Sequence, residues 1–316
     1  MAENPRDRSP FDRYPIHFTT ANNVAIAYQD MGPDSAEAVL LVMGLGAQML
    51  HWGDPLVQGL LDAGYRVIVL DNRDAGLSQK FYLLSAPPVW WTLVRDKVGL
   101  TPTPAYTLND MAADAVGVLD TLGIERAHVV GASMGGMIAQ ILTLEYPQRV
   151  LSLTSVMSSS GAPGLPESTP EAVSALASSA KAKEANRDQI IARQVEVARA
   201  IGSPTLFSEP YARQLAIRVM NRGSYAPGMR RQLQAILANG DRSPVLRKLQ
   251  APVLVIHGED DPLLPIDHGR DTAAKIPGAR FVSIPGMGHA LEPEVSRRLL
   301  AQLVPFLQDP VQLATE

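Results

Sequence analysis

Six short apolar runs constrain this chain more than anything else in it. They are "AVLLVM" (38–43), "RVIVL" (66–70), "AHVVG" (127–131), "LSLTSVM" (151–157), "VLVIH" (253–257) and "RFVSI" (280–284). A strand with one wet face alternates apolar and polar residues, whereas a strand covered on both faces does not need to. Helical patterns separate the runs. "DPLVQGLLDAG" (54–64) ends at a glycine suited to the position just past a helix. "TLNDMAADAVGVLDTLG" (107–123) places Leu108, Met111, Ala115, Val118, Leu119 and Leu122 on one face. A third helix is expected from Met134 to about Glu145, stopped by Pro147. Two earlier runs, "IHFTT" (16–20) and "VAIAY" (24–28), are joined through Asn22 and Asn23, which tolerate the left-handed conformations of a hairpin. The alternation predicts an α/β fold with a doubly wound, mostly parallel eight-stranded sheet and an antiparallel hairpin at one edge.

Two stretches break the rhythm. Residues 81–106 hold four prolines and the pair Trp90-Trp91. Residues 158–250 open on a loop rich in Ser, Gly and Pro and then turn helical, with Ile191, Val195 and Ala198 on one stripe and Leu233, Ile236 and Leu237 on another. This reads as a helical cap (158–250) inserted after the sixth strand, over the sheet edge where open α/β sheets bind ligands. The core is then 16–157 together with 251–316, preceded by a flexible polar arm over 1–15.

Composition narrows the function. The formal net charge is −4 and no basic cluster stands out, which argues against nucleic acid or an anionic membrane as a partner. There is no cysteine, so neither a disulfide nor a thiolate metal site can form. No apolar run approaches the ~18 residues of a membrane span. The start lacks the apolar stretch of a secretory signal, so a cytoplasmic location is expected.

The pentapeptide "GASMG" (131–135) follows one of the apolar runs and opens the third helix. It fits G-x-S-x-G, in which a sharp strand-to-helix turn lifts the serine oxygen clear of the backbone, and flanking glycines leave room for the turn. The helix N-terminus favours negative charge there. A capping serine with glycine neighbours is the simpler alternative. Ser133 as a nucleophile needs a base, and the base an orienting acid. Of six histidines, His128 begins the strand leading to Ser133 and belongs at the far end of the sheet. His17 sits in the edge hairpin, His257 ends a strand and is expected to pack, and His268 begins a helix and is expected to be solvated or capping. His51 follows the third strand and could line a pocket. His289, in "IPGMGHALEP", sits in a glycine-rich loop between the last strand and the last helix, placed to hang over the sheet edge. The acid is sought in "HGEDDPLLP" (257–265), where Asp261 has Asp260 and Glu259 as rivals. The order Ser133, Asp261, His289 is the serine–acid–histidine order of one hydrolase fold. An oxyanion would be bound by the backbone N–H of Met134 and that of Leu45, in the loop "VMGLG" (42–46).

With these residues in place, the chain resembles the α/β-hydrolase fold enzymes over roughly 16–310, on "LVMGLG", "LDNRDAGLS", "HVVGASMGGMIAQ", "HGEDDPLLP" and "IPGMGHALEP". It is most similar to serine esterases of the aclacinomycin methylesterase type, which share "LVMG" in the oxyanion segment. "DNRDAGLS" matches the family's D-x-R-G-x-G-x-S loop, with Asp74 where glycine is usual, and Asp71 and Arg73 are read as structural. The resemblance implies a serine carboxylesterase with the triad Ser133, Asp261 and His289. It needs no metal and no organic cofactor, and it acts on a small-molecule ester with an apolar acyl or alcohol part, as a monomer or homodimer. A carbon–carbon bond hydrolase, a perhydrolase and a non-catalytic receptor of the same fold are the alternatives. Dehalogenases and epoxide hydrolases of this fold need an aspartate where Ser133 stands. Trp90 and Trp91, with Phe207, Tyr211 and Met220, are candidate lining for an apolar substrate pocket.

Overall fold

A computed structural model describes residues 8–85, 87–100, 103–179 and 186–310. Its strands are β1 (His17–Ala21), β2 (Val24–Met31), β3 (Ala38–Val42), β4 (Arg66–Leu70), β5 (Ala127–Ala132), β6 (Val150–Val156), β7 (Val253–Gly258) and β8 (Arg280–Ile284). They form one sheet in the order β1-β2-β4-β3-β5-β6-β7-β8. The β1–β2 and β2–β4 pairs are antiparallel and the rest parallel. The hairpin closes through Asn22 and Asn23, both at positive φ.

The helices, in chain order, are α1 (Pro10–Arg13), α2 (Asp54–Asp62), α3 (Val89–Lys97), α4 (Leu108–Thr121), α5 (Met134–Glu145), α6 (Pro170–Ser179), α7 (Arg187–Ile201), α8 (Glu209–Arg222), α9 (Ala226–Asn239), α10 (Ser243–Leu246), α11 (Asp267–Lys275) and α12 (Pro293–Gln308). Two apolar layers enclose the sheet. In β3, Leu40 and Val42 join one layer, built with α4 and α5, while Val39 and Leu41 join the other, built with α2 and α12. β4 divides the same way, Ile68 and Leu70 against Val67 and Val69. This is why these strands carry no polar alternation. α4 starts at a capping box, with the Thr107 side chain accepting from the Asp110 N–H, and buries Leu108, Met111, Ala115, Val118 and Leu119.

The start of the chain corrects one expectation. Residues 1–7 lie outside the described residues, but 8–15 are not a free arm. Phe11 is buried, and the Gln29 amide donates to the carbonyls of Phe11 and Tyr14. Burying the ring and satisfying those carbonyls fixes the segment against β2.

Helices α6 to α10 lie between β6 and β7. They have a small apolar cluster of their own, formed by Ile191, Val195, Ala212 and Ala216 with Phe207 and Met220 packed on it. The face that α9 buries is polar: Arg231 and Gln232 are buried, whereas Leu233, Ile236 and Leu237 are half-buried. The polar residues face inward because they are paired. Arg231 binds both carboxylate oxygens of Asp74 at 2.8 Å, and the Tyr106 hydroxyl donates to the same carboxylate at 2.8 Å. Arg222 on α8 lies 2.9 Å from Asp71, and Arg218 lies 3.0 Å from Asp54. So the insert is held to the start of α2 and to the loop after β4 by paired charges.

Asp74 has φ +68, a conformation glycine adopts without strain. Asp74→Gly therefore keeps the backbone but leaves Arg231 buried without its anion. It is expected to lower stability by about 3–5 kcal/mol, and Asp74→Gly combined with Arg231→Met to recover most of the loss. Urea unfolding of the single and double variants checks this.

Candidate active site

Ser133 sits where β5 turns into α5, with φ +55 and ψ −122. A non-glycine residue avoids this region unless its surroundings enforce it. Here they do, by close backbone approach. A Cβ on Gly131 would fall 2.1 Å from the Gly135 carbonyl oxygen, and one on Gly135 would fall 1.9 Å from the Val42 carbonyl oxygen. The Ser133 N–H donates to Val156 O at 2.9 Å, and the Ser158 hydroxyl donates to Ser133 O at 2.7 Å. With both backbone groups held, the side chain projects above the sheet edge.

His289 Nε2 lies 2.9 Å from Ser133 Oγ, and His289 Nδ1 lies 2.7 Å from Asp261 Oδ2. The carboxylate accepts from Nδ1, which leaves Nε2 free to accept the serine proton. Asp261 Oδ1 accepts the N–H groups of Leu263 and Leu264 at 2.9 and 2.8 Å. Burial opposes the Asp261 charge, yet His289 and His257 beside it hold its carboxyl well below the usual range. The rival acids point elsewhere. Glu259 accepts from the Ser283 hydroxyl, and Asp260 is exposed.

The other histidines have separate partners. His17 packs on Tyr28 and His128 on Ser152, at 2.7 Å. His51 Nδ1 accepts the Gln48 N–H. His268 corrects an expectation: it is buried, 2.8 Å from Ser159 Oγ and 2.9 Å from Pro166 O. The ring donates from Nε2 to Pro166 O and accepts the Ser159 hydroxyl on Nδ1, and both partners come from the start of the β6–β7 insert, far away in sequence. His257 also does more than pack. Its Nε2 donates to Leu264 O at 2.7 Å and lies 3.5 Å from Asp261 Oδ2, the same oxygen that faces His289.

The backbone N–H groups of Leu45 and Met134 have no hydrogen-bond partner among the described residues. Met134 is the first residue of α5, where such donors are orphaned by helix geometry. Gly44 lies against the turn at Ser133, since a Cβ there would sit 3.0 Å from Ser133 Cβ. The loop carrying His289 rests on the insert. His289 N–H donates to Ile201 O at 2.6 Å, and Gly288 N–H to Ser203 Oγ at 3.1 Å. Both oxygens of Glu292 bind Ser203. Neither Ser203 nor Glu292 had any marker in the sequence, because they meet across 89 positions.

Trp90 and Trp91 are surface residues, 62% and 45% exposed, packed edge to face on each other. Trp91 borders an open cavity of about 310 Å³ with Leu84, Pro87, Arg95, Pro104 and Gln234, and none of Ser133, His289 or Asp261 lines it. α3 lies outside the sheet layers, so its aromatics are left in solvent. Phe207 and Met220 pack on the apolar cluster of the insert. Among the described residues, no group of three or more His, Asp or Glu could hold a metal ion, and no helix is long and apolar enough to cross a membrane.

The model of the alpha/beta hydrolase fold family matches residues 37–292, and the chain belongs to that family. Rhodomycin D methylesterase DnrP of Streptomyces peucetius is 28% identical over 308 residues, 92% of this chain and 97% of that one. A 2-hydroxy-6-oxononadienedioate/2-hydroxy-6-oxononatrienedioate hydrolase of Paraburkholderia phymatum is 29% identical over 293 residues, 89% and 90% of the two chains. Among solved structures, a hydrolase from Pseudomonas aeruginosa superposes with a TM-score of 0.69, covering 92% of this chain and 98% of its own at 24% identity.

Asp261 links the site to stability. Its folded pKa is below the unfolded value, so the unfolded chain binds more protons in acid. The stability it contributes is complete above about pH 5 and is lost as pH falls through ~4 and below. The stability lost in Asp261→Asn is therefore expected to be largest at neutral pH and to shrink on acidification. Denaturant unfolding of both proteins between pH 7 and pH 3 measures it.

Proposed function

We propose that the chain is a serine carboxylesterase in which Ser133 is the nucleophile, His289 the general base and acid, and Asp261 the orienting anion. The observation that carries this reading is one unbroken chain of short contacts. Ser133 Oγ faces His289 Nε2 at 2.9 Å, and His289 Nδ1 faces Asp261 Oδ2 at 2.7 Å, at a serine held at positive φ on a helix N-terminus. The likeness to a methylesterase over nearly the whole chain supports an ester as the scissile group.

In this reading the serine oxygen attacks the ester carbonyl as its proton passes to His289 Nε2. The carbonyl oxygen becomes an oxyanion held by the N–H groups of Leu45 and Met134. His289 then protonates the leaving alcohol as the ester C–O bond breaks, and the acyl group stays on Ser133. A water molecule gives its proton to His289, attacks the acyl carbon, and releases a carboxylic acid while Ser133 regains its proton. Asp261 keeps the proton on Nδ1 before the transfer and stabilises the imidazolium after it. Each oxyanion donor contributes about 3 kcal/mol to lowering the barrier. The substrate is a small-molecule ester with an apolar acyl or alcohol part. The segments beside the site that could meet it carry Leu45, Met134 and Met229.

A second reading is favoured by the similarity to the Paraburkholderia phymatum hydrolase: the same three residues would cleave a carbon–carbon bond next to a carbonyl. Turnover separates the two. p-Nitrophenyl esters from acetate to decanoate are expected to be hydrolysed, with Ser133→Ala and His289→Ala losing at least about 10⁴-fold in kcat. No ester turnover alongside cleavage of a vinylogous 1,5-diketone would transfer the assignment to the second reading.

A further inference from the structure

Leu45 lies in the four-residue turn Gly44–Ala47, its side chain packed on the layer of α4 and α5. Asn72 Nδ2 donates to Met43 O at 2.7 Å before the turn, and within it Ala47 N–H donates to Gly44 O at 3.2 Å. One further side chain binds it among the described residues. Gln232, on α9 of the insert and 186 positions away, accepts the Gly46 N–H on its Oε1 at 2.7 Å. The other end of the same amide donates from Nε2 to Arg73 O at 2.8 Å. Gln232 is fully buried, so neither bond competes with water. Gly46 has φ +67 and carries the Met229 side chain close over it.

The turn thus has two successive free N–H groups, those of Leu45 and Gly46, and Gln232 consumes the second. A peptide N–H taken up on the α9 side fixes the plane of the Leu45–Gly46 peptide. With Gly44 pressed on Ser133 from the other side, the Leu45 N–H is left as the open donor beside the nucleophile. We infer that Gln232 is a positioning residue for the oxyanion site, supplied by the insert rather than by the hydrolase core. This rests on the esterase reading, in which the Leu45 N–H binds the oxyanion. Only an uncharged amide does both jobs. A glutamate would still accept from Gly46 but would face the Arg73 carbonyl with a second acceptor, and a leucine would do neither.

The test compares Gln232→Leu and Gln232→Glu with Arg218→Met, which loosens the same insert at Asp54, away from the turn. In both Gln232 variants kcat on p-nitrophenyl butyrate is expected to fall about tenfold or more, with KM changed less than about threefold. The preference for an oxygen ester over its thionoester, which reports hydrogen bonding to the oxyanion, is expected to narrow by a similar factor. Arg218→Met is expected to lower Tm and leave kcat and that preference unchanged. If the Gln232 variants lose Tm as Arg218→Met does but keep kcat and the oxygen preference within twofold, Gln232 only fastens the insert, and the inference is wrong. Labelling of Ser133 by a fluorophosphonate separates the premises. If wild-type Ser133 is labelled and p-nitrophenyl butyrate is hydrolysed, the esterase reading stands and the Gln232 comparison decides. If Ser133 is labelled but the ester is not turned over, or if Ser133 is not labelled, the esterase reading fails and the inference falls with it. A variant that fails to fold, judged by near-ultraviolet circular dichroism, is replaced by Gln232→Met, for which the same losses are expected.

Discussion

The start of α5 is pressed against the end of β3, and most of the site follows from that contact. The Gly135 backbone approaches the Val42 carbonyl so closely that a Cβ would stand 1.9 Å away. Gly136 is similarly close to Ser158, and Gly131 to Gly135. Helix and sheet can come this near only with three glycines, and the turn between them is then too tight for ordinary backbone angles. Ser133 takes up the difference at positive φ. That strain is held by packing on all sides, as strained positions at sites generally are. It aims Oγ at His289 and leaves the first N–H of α5 without an internal partner.

The histidine has no comparable local constraint. Its loop follows β8 and lies over the end of β7, where a Cβ on Gly258 would meet the Met287 carbonyl at 2.2 Å. On the other side it rests on Ile201, Gly202 and Ser203 of the insert. The turn after β3 is held by the insert too, through Gln232 and, further along, through Gln48 bonding to the carbonyls of Val219 and Gly223. The insert is therefore more than a cover. Its polar side chains fix two of the three segments that surround the serine. The price is charge burial, since Asp71, Asp74, Arg222 and Arg231 lie largely out of water and hold one another there.

Local pattern carried the elements. The apolar runs became strands within a residue or two of their expected ends, because their side chains feed two cores at once. Gly64 closes α2 at positive φ, as the glycine ending that stretch suggested. Ser133, Asp261 and His289 could be picked out because each stands at a strand end with turn chemistry around it. His268, expected to be solvated or capping, is buried instead on Ser159 and Pro166. Hydrophobicity ranks side chains by transfer from water, and it is silent on which polar group will find a partner inside.

The sequence by itself determined the strands and helices of the sheet layers and the three residue types that converge at the sheet edge. These depend on periods of two and 3.6 and on turns a few residues long, so neighbouring residues encode them. The tertiary structure decided which polar residues the molecule buries. Arg231 on Asp74, Gln232 on Gly46 and Glu292 on Ser203 pair across 157, 186 and 89 positions. No local pattern marks such a pair, because each half is stable inside only when the other is already in place.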